Sequence, residues 1–251
     1  MNYIKALFMA LGMFSVLPAP KNSWDEKLSS LVIPSLPLVG GVVGGLWYGL
    51  SLLLDIFELP VLLHAAVFLL IPFLLTGFLH VDGYMDTADA VFSRRPLEER
   101  RRILKDSNVG AFAVIALVCL MMLQLAGAHS IVSRPGVPSA IVFIPVLSRC
   151  VAGAALLCLR QMYETGYMAT FKANSKPSHM VFTVIIAAMT LAAAFLSGGI
   201  ISLAACAVTL ATSGIVTVWV YRQMDGLNGD LCGCIITAGE LGGLLFLAIF
   251  C

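Results

Sequence analysis

The hydrophobic positions of this chain come in long unbroken blocks. They run over roughly 32–56, 60–79, 109–132, 138–159, 180–198, 199–221 and 231–251. Each block approaches the ~20 residues that an α-helix needs to cross the hydrocarbon of a bilayer. The pattern predicts an all-α fold, a polytopic membrane bundle of about seven transmembrane helices. A shorter apolar segment, YIKALFMALGMFSVLPAP, precedes them and ends at Pro18 and Pro20. It has one lysine and no clear small-x-small cleavage site, so it reads as a retained N-terminal interfacial helix rather than a signal peptide. No repeat or low-complexity tail divides the chain, so residues 1–251 are predicted to form a single integral-membrane domain. The stretch PLVGGVVGGLWYGL carries Gly40, Gly41, Gly44, Gly45 and Gly49. Small residues four apart let helices approach closely, and they leave a homo-oligomer open.

Composition agrees with the pattern. The chain is 60% hydrophobic and 12% charged, whereas a soluble domain is about a quarter charged. The bilayer is therefore one partner. A net charge of +1 gives no electrostatic footprint for nucleic acid. Of seven cysteines, Cys119, Cys150, Cys158, Cys206, Cys234 and Cys251 fall in apolar runs and read as small buried residues, not a disulfide framework. Cys232-Gly-Cys234 has no nearby histidine and is not read as a zinc site.

The basic residues orient the bundle. With seven spans, one side holds Lys5, Lys21, Lys27, Arg94, Arg95, Arg100, Arg101, Arg102, Lys105, Arg160, Lys172, Lys176 and Arg222. The other side holds Arg134, and Arg149 lies inside the fourth span. The positive-inside rule puts the loops at 80–108, 160–179 and 222–230 in the cytoplasm.

Those loops hold the candidate chemistry. In FLHVDGYMDTADAVF, residues 78–92, His80, Asp82, Asp86 and Asp89 follow an apolar run directly. Steps of four and three put the three carboxylates on one helix face. A solvated acidic face balanced by the arginines at 94–102 would explain them. So would a divalent cation, for which oxygen ligands suggest magnesium. Gly83, Thr87, Ala88 and Ala90 keep the gaps small enough for a ligand to approach the backbone. In KDSNVGAF, Asp106 or Ser107 could cap the third span and Gly110 could open room for a ligand. In DGLNGDLCG, Gly229 and Asp230 precede the last span, where glycines form turns or offer N–H groups to phosphate. Arg149 and Glu240 are charges deep in apolar runs, either paired with each other or with Arg149 on a substrate phosphate.

The collinear order PLVGG, HVDGYMDTADA, ILKDSNVGAF, LSR and GLNGDLCG followed by Glu240 resembles the cobalamin synthase family, the adenosylcobinamide-GDP ribazoletransferases. The likeness covers essentially the whole chain. The family usually has glycine where this chain has Phe78, Ala90 and Ala113, and often threonine at Asn228. The resemblance implies an enzyme of the prokaryotic inner membrane, with its active site facing the cytoplasm. Its substrates would be adenosylcobinamide-GDP and alpha-ribazole or alpha-ribazole 5'-phosphate, with release of GMP. Asp82, Asp86 and Asp89 would hold Mg2+, and one of them or His80 would take the proton of the attacking ribose hydroxyl. Asp106, Ser107, Gly110, Arg149, Gly229 and Asp230 would contact substrate. A corrinoid cavity would be walled by Tyr84, Phe92, Tyr163 and Phe171.

Two other classes fit less well. A CDP-alcohol phosphotransferase would show a D-G-x-x-A-R start, and a prenyltransferase two aspartate motifs. A transporter would gather its polar residues at mid-membrane.

Overall fold

The computed structural model describes residues 2–20, 24–164, 166–173 and 175–251. Lys21, counted above among the basic residues, lies outside them. Among the described residues there is no strand, and ten α-helices follow one another. They are α1 (Asn2–Phe14), α2 (Val32–Asp55), α3 (Val61–Leu75), α4 (Leu79–Phe92), α5 (Leu97–Ile103), α6 (Ala111–Val132), α7 (Ala140–Cys158), α8 (Tyr167–Ala173), α9 (Pro177–Met224) and α10 (Gly229–Phe250). A 3-10 turn, Glu26–Leu31, leads into α2. Five helical segments are long and apolar enough to cross a membrane, and a sixth is added if α3 and α4 count as one bent span. Leu62, Leu63, Leu70, Ile115, Val118, Met122, Ile185 and Met189 point outward from α3, α6 and α9. Such broad apolar exposure suits lipid rather than water. This is a multi-pass membrane protein.

Two breaks shape the bundle. At 48 residues α9 would reach about 72 Å if straight, more than twice the hydrocarbon thickness. It breaks at Gly199, where φ is 63° and ψ −153°, a conformation open essentially to glycine. Met180 in the first arm meets Cys158 at the end of α7, and Ser197 bonds Ser139 at its start. The second arm returns along α10, where Ser213 Oγ donates to the Ile235 carbonyl. The boundary expected between 198 and 199 is therefore a real fold-back.

The other break corrects the expected span 60–79. The α3 helix stops at Leu75, and α4 leaves at 91° to it. Gly77 and Phe78 turn the chain with φ of 60° and 62°, and Thr76 Oγ1 donates back to the Pro72 carbonyl. The acidic segment thus belongs to a separate helix, angled away from the membrane-crossing direction.

The glycines of α2 divide into two groups. A Cβ on Gly40 would lie 2.4 Å from the Pro145 carbonyl oxygen, and one on Gly44 2.2 Å from that of Val142. These positions let α2 and α7 touch backbone to backbone. Gly45 and Gly49 have nothing within 4 Å of the same atom. Gly40→Ala should therefore destabilise the bundle by about 1–3 kcal/mol by forcing α2 off α7, while Gly45→Ala should be neutral or better. Unfolding of both variants in detergent micelles checks the difference.

Candidate active site

The α4 helix crosses the start of α10, and that crossing gathers the acidic residues. A Cβ on Gly83 would stand 2.5 Å from the Asp230 carbonyl oxygen, and one on Gly233 2.9 Å from the His80 carbonyl oxygen. Thr237 Oγ1 donates to that same His80 carbonyl at 3.1 Å. Asp230, in the first turn of α10, is thereby laid beside the aspartate face of α4. Asn228 caps α10, accepting from the Leu231 N–H at 3.1 Å, and its amide donates to Asp230 Oδ2 at 2.7 Å. Burial, then repulsion from Asp82, Asp230 and Asp89, pushes the Asp86 carboxyl up to about 6. Four carboxylates therefore act on one another at this crossing. Gly110, at the start of α6, closes the group from another side: a Cβ there would collide with the Asp89 carboxylate.

Among the described residues no three His, Cys, Asp or Glu side chains stand close enough to cage a metal ion. Magnesium does not require a cage. It takes one or two carboxylates and completes its shell with water and substrate phosphates. Hard carboxylate oxygens under mutual repulsion are a donor set that fits it.

Other sequence expectations fall differently. His80 is 8% exposed, and its Nε2 lies in the bundle with no hydrogen-bond partner. Two residues from Asp82, it sits about 200° around the helix and looks away from the acidic face. Its side chain is thus turned from the carboxylates with which the sequence grouped it. Asp106 does not cap α6. Its carboxylate accepts from the Asn108 N–H at 3.0 Å and from the Asn108 amide at 2.7 Å, which hold it below the ordinary carboxylate range. Asp106 and Ser107 are exposed on the loop, and Gly110 is the uncapped start of the helix. Gly229 opens α10, and a Cβ there would lie 3.9 Å from the Met168 methyl. Arg149 is 1% exposed and bonds Glu240 at 2.6 Å, with Pro145 O at 3.0 Å. Of the two roles left open for it, the structure displays the pair that ties α7 to α10. Phe171 is wholly buried against Trp24 and Tyr167, and Phe92 packs on Trp219.

The loops predicted to lie on one side do meet. The 160–162 segment pairs with Leu227 through Met162 N–H to Leu227 O at 2.8 Å and Leu227 N–H to Arg160 O at 3.0 Å. Arg101 donates to the Met224 and Asp225 carbonyls, Arg160 to Asp225, and Arg100 to Gln223 at 2.6 Å. Arg101 and Arg160 satisfy carbonyls that the C-terminus of α9 leaves free, and Arg100 holds the Gln223 side chain, so α5 and the 160–162 segment are docked at that end. Cavities of about 840 Å³ and 230 Å³ open on either side of Tyr167. Sequence reasoning passed over Lys105 as a site residue. Its Nζ sits 3.7 Å from the ring centre of Tyr163. Burial, the largest cause, raises the Tyr163 hydroxyl, with Arg101 opposing and Asp230 and Glu98 adding to the shift.

The cobalamin-5-phosphate synthase family matches residues 6–248. The chain belongs to this family. It is 34% identical over 247 residues to a Clostridium perfringens protein named adenosylcobinamide-GDP ribazoletransferase, covering 98% of each chain. Proteins of that name from Clostridium botulinum, at 31% with 99% of each chain covered, and Geobacillus thermodenitrificans, at 33% with 95% and 94% covered, are similar along their length. No solved structure matches the chain. Its departures from the family's usual residues now have physical readings. Phe78 adopts a left-handed conformation that costs a non-glycine residue roughly 1–2 kcal/mol. Asn228 caps α10, a task threonine also performs. Ala90 and Ala113 are simply accommodated as buried methyl groups.

The buried pair makes its own prediction. Removing one partner, as in Arg149→Leu, strands a charge and should cost about 3–5 kcal/mol, whereas Arg149→Met combined with Glu240→Leu should recover most of that loss. A double-mutant cycle on unfolding in micelles measures the coupling.

Proposed function

We propose that this family member joins adenosylcobinamide-GDP to alpha-ribazole or its 5'-phosphate, giving adenosylcobalamin or its 5'-phosphate and GMP. The observation that carries the reading is the acidic group at the crossing of α4 and α10, in a chain that belongs to the family along nearly its whole length. A ribose hydroxyl oxygen attacks the phosphorus nearer the cobinamide. The bond from that phosphorus to the bridging oxygen breaks, and GMP carries the oxygen away. One of the carboxylates of the group, or His80, accepts the hydroxyl proton. Asp82, Asp86 and Asp89 are the residues that would hold magnesium, which when bound neutralises the charge of the diphosphate. Asp230, fixed by Asn228, orients the substrate from the α10 side.

The bundle has seven passes in this reading, with α3 one span and each arm of α9 another. The acidic group then faces the cytoplasm of a prokaryotic cell at its inner membrane, where the thirteen basic residues lie. The larger cavity has Met9, Met13, Trp24 and Tyr167 beside Glu26, Ser29 and Thr170 on its walls, a mixture that suits an amphipathic corrinoid.

Asp82→Asn, Asp86→Asn and Asp89→Asn keep size and remove charge. With adenosylcobinamide-GDP, alpha-ribazole and magnesium, each should lose at least about 10²-fold in GMP release, as expected when charge stabilisation or a proton acceptor is removed. Wild-type rates in all three would rule out the carboxylate assignment. CDP-diacylglycerol or a prenyl diphosphate as the preferred donor would rule out the reaction.

A further inference from the structure

We propose that Lys105 and Tyr163 form the seat for the 5'-phosphate of a phosphorylated acceptor nucleotide, whose base enters the adjoining cavity. The inference rests on the reaction proposed above and selects between its two acceptors. Four observations support it. The Lys105 ammonium lies over the Tyr163 ring at 3.7 Å, and among the described residues it makes no ion pair. The Tyr163 hydroxyl is buried and has no hydrogen-bond partner. The same tyrosine lines the cavity of about 230 Å³ with Tyr167, Met168 and Asn228, walls suited to a flat aromatic base. Asn228 in turn bonds Asp230, so the cavity abuts the acidic group.

The chemistry favours a monophosphate. An exposed lysine over a ring makes only a weak contact, and its flexible stem lets it exchange that contact for a charge-assisted bond to phosphate. The tyrosine hydroxyl supplies a second donor whose capacity is unspent. In the proposed reaction the diphosphate of the donor belongs to Asp82, Asp86 and Asp89. The cation displaced to the cavity side is free for a second anion. An acceptor 5'-phosphate must lie one sugar away from the attacking hydroxyl. Lys105 stands near the right place, since its loop runs on to Gly110 against Asp89, while Tyr163 shares its cavity with Asn228, the partner of Asp230.

Calorimetry with the purified full chain in micelles tests this without any donor present. Wild-type protein should bind alpha-ribazole 5'-phosphate about tenfold or more tightly than alpha-ribazole, the value of one charged hydrogen bond. Lys105→Gln should erase that preference, Tyr163→Phe should reduce it, and Lys105→Arg should retain it. Equal affinities for the two acceptors in wild type, or an undiminished preference in Lys105→Gln, would overturn the inference. Turnover with adenosylcobinamide-GDP is scored separately. Absence of GMP release with a Lys105-dependent phosphate preference would refute the reaction and leave the phosphate seat standing.

Discussion

The acidic end of this bundle depends on a backbone contact. The α4 helix meets the first turn of α10 where position 83 has no side chain, and a methyl there would enter the space of the Asp230 carbonyl. Thr237 fastens the neighbouring turn of α4 by bonding the His80 carbonyl, and Gly233 keeps that approach close. The aspartate face and Asp230 are consequently held together although their charges repel. Burial adds to the strain, since Asp86 is driven up to about 6. A chain keeps such a cluster at the expense of stability, and a cationic or phosphate-bearing ligand gives the arrangement a use.

The remainder of the fold supports that contact from behind. Arg149 and Glu240 join α7 to α10 inside the bundle, and Gly40 and Gly44 bring α2 against α7. At the acidic end, Arg100, Arg101 and Arg160 fasten the loops to the end of α9. At the opposite end, Arg134, Ser139 and Ser197 surround a separate cavity with no acidic side chain on its walls. The aspartate cluster therefore lies at one end of the bundle, whereas a transport path would gather its polar groups at mid-membrane.

Much of this was legible in the residues. Long apolar blocks predicted the helices, and the change of block at 198/199 anticipated the fold-back at Gly199. The four-and-three spacing of Asp82, Asp86 and Asp89 predicted their shared face. Periodicity also held the answer for His80, which two residues from Asp82 must point elsewhere on a helix. The bend after Leu75 was hidden because the apolar block continues through Phe78 and Leu79, and only the Thr76-Gly77 pair hints at a turn. The contact of Lys105 with Tyr163 joins two loops 58 positions apart in the chain, and no local pattern encodes it. Phe171 looked available for a ligand because aromatic character says nothing about depth, and the fold buries it.

The most direct test of the account is the turnover of Gly83→Ala. The substitution adds one methyl group, removes no charge and changes none of the proposed ligand residues. It should push α4 away from Asp230, and a misplacement on the order of 1 Å can cost about 10²-fold in rate. The account predicts a folded, monodisperse protein in micelles whose rate of cobalamin formation from adenosylcobinamide-GDP falls by about that factor. Wild-type turnover in the folded variant would contradict it, because the carboxylates would then work without the close crossing of α4 and α10.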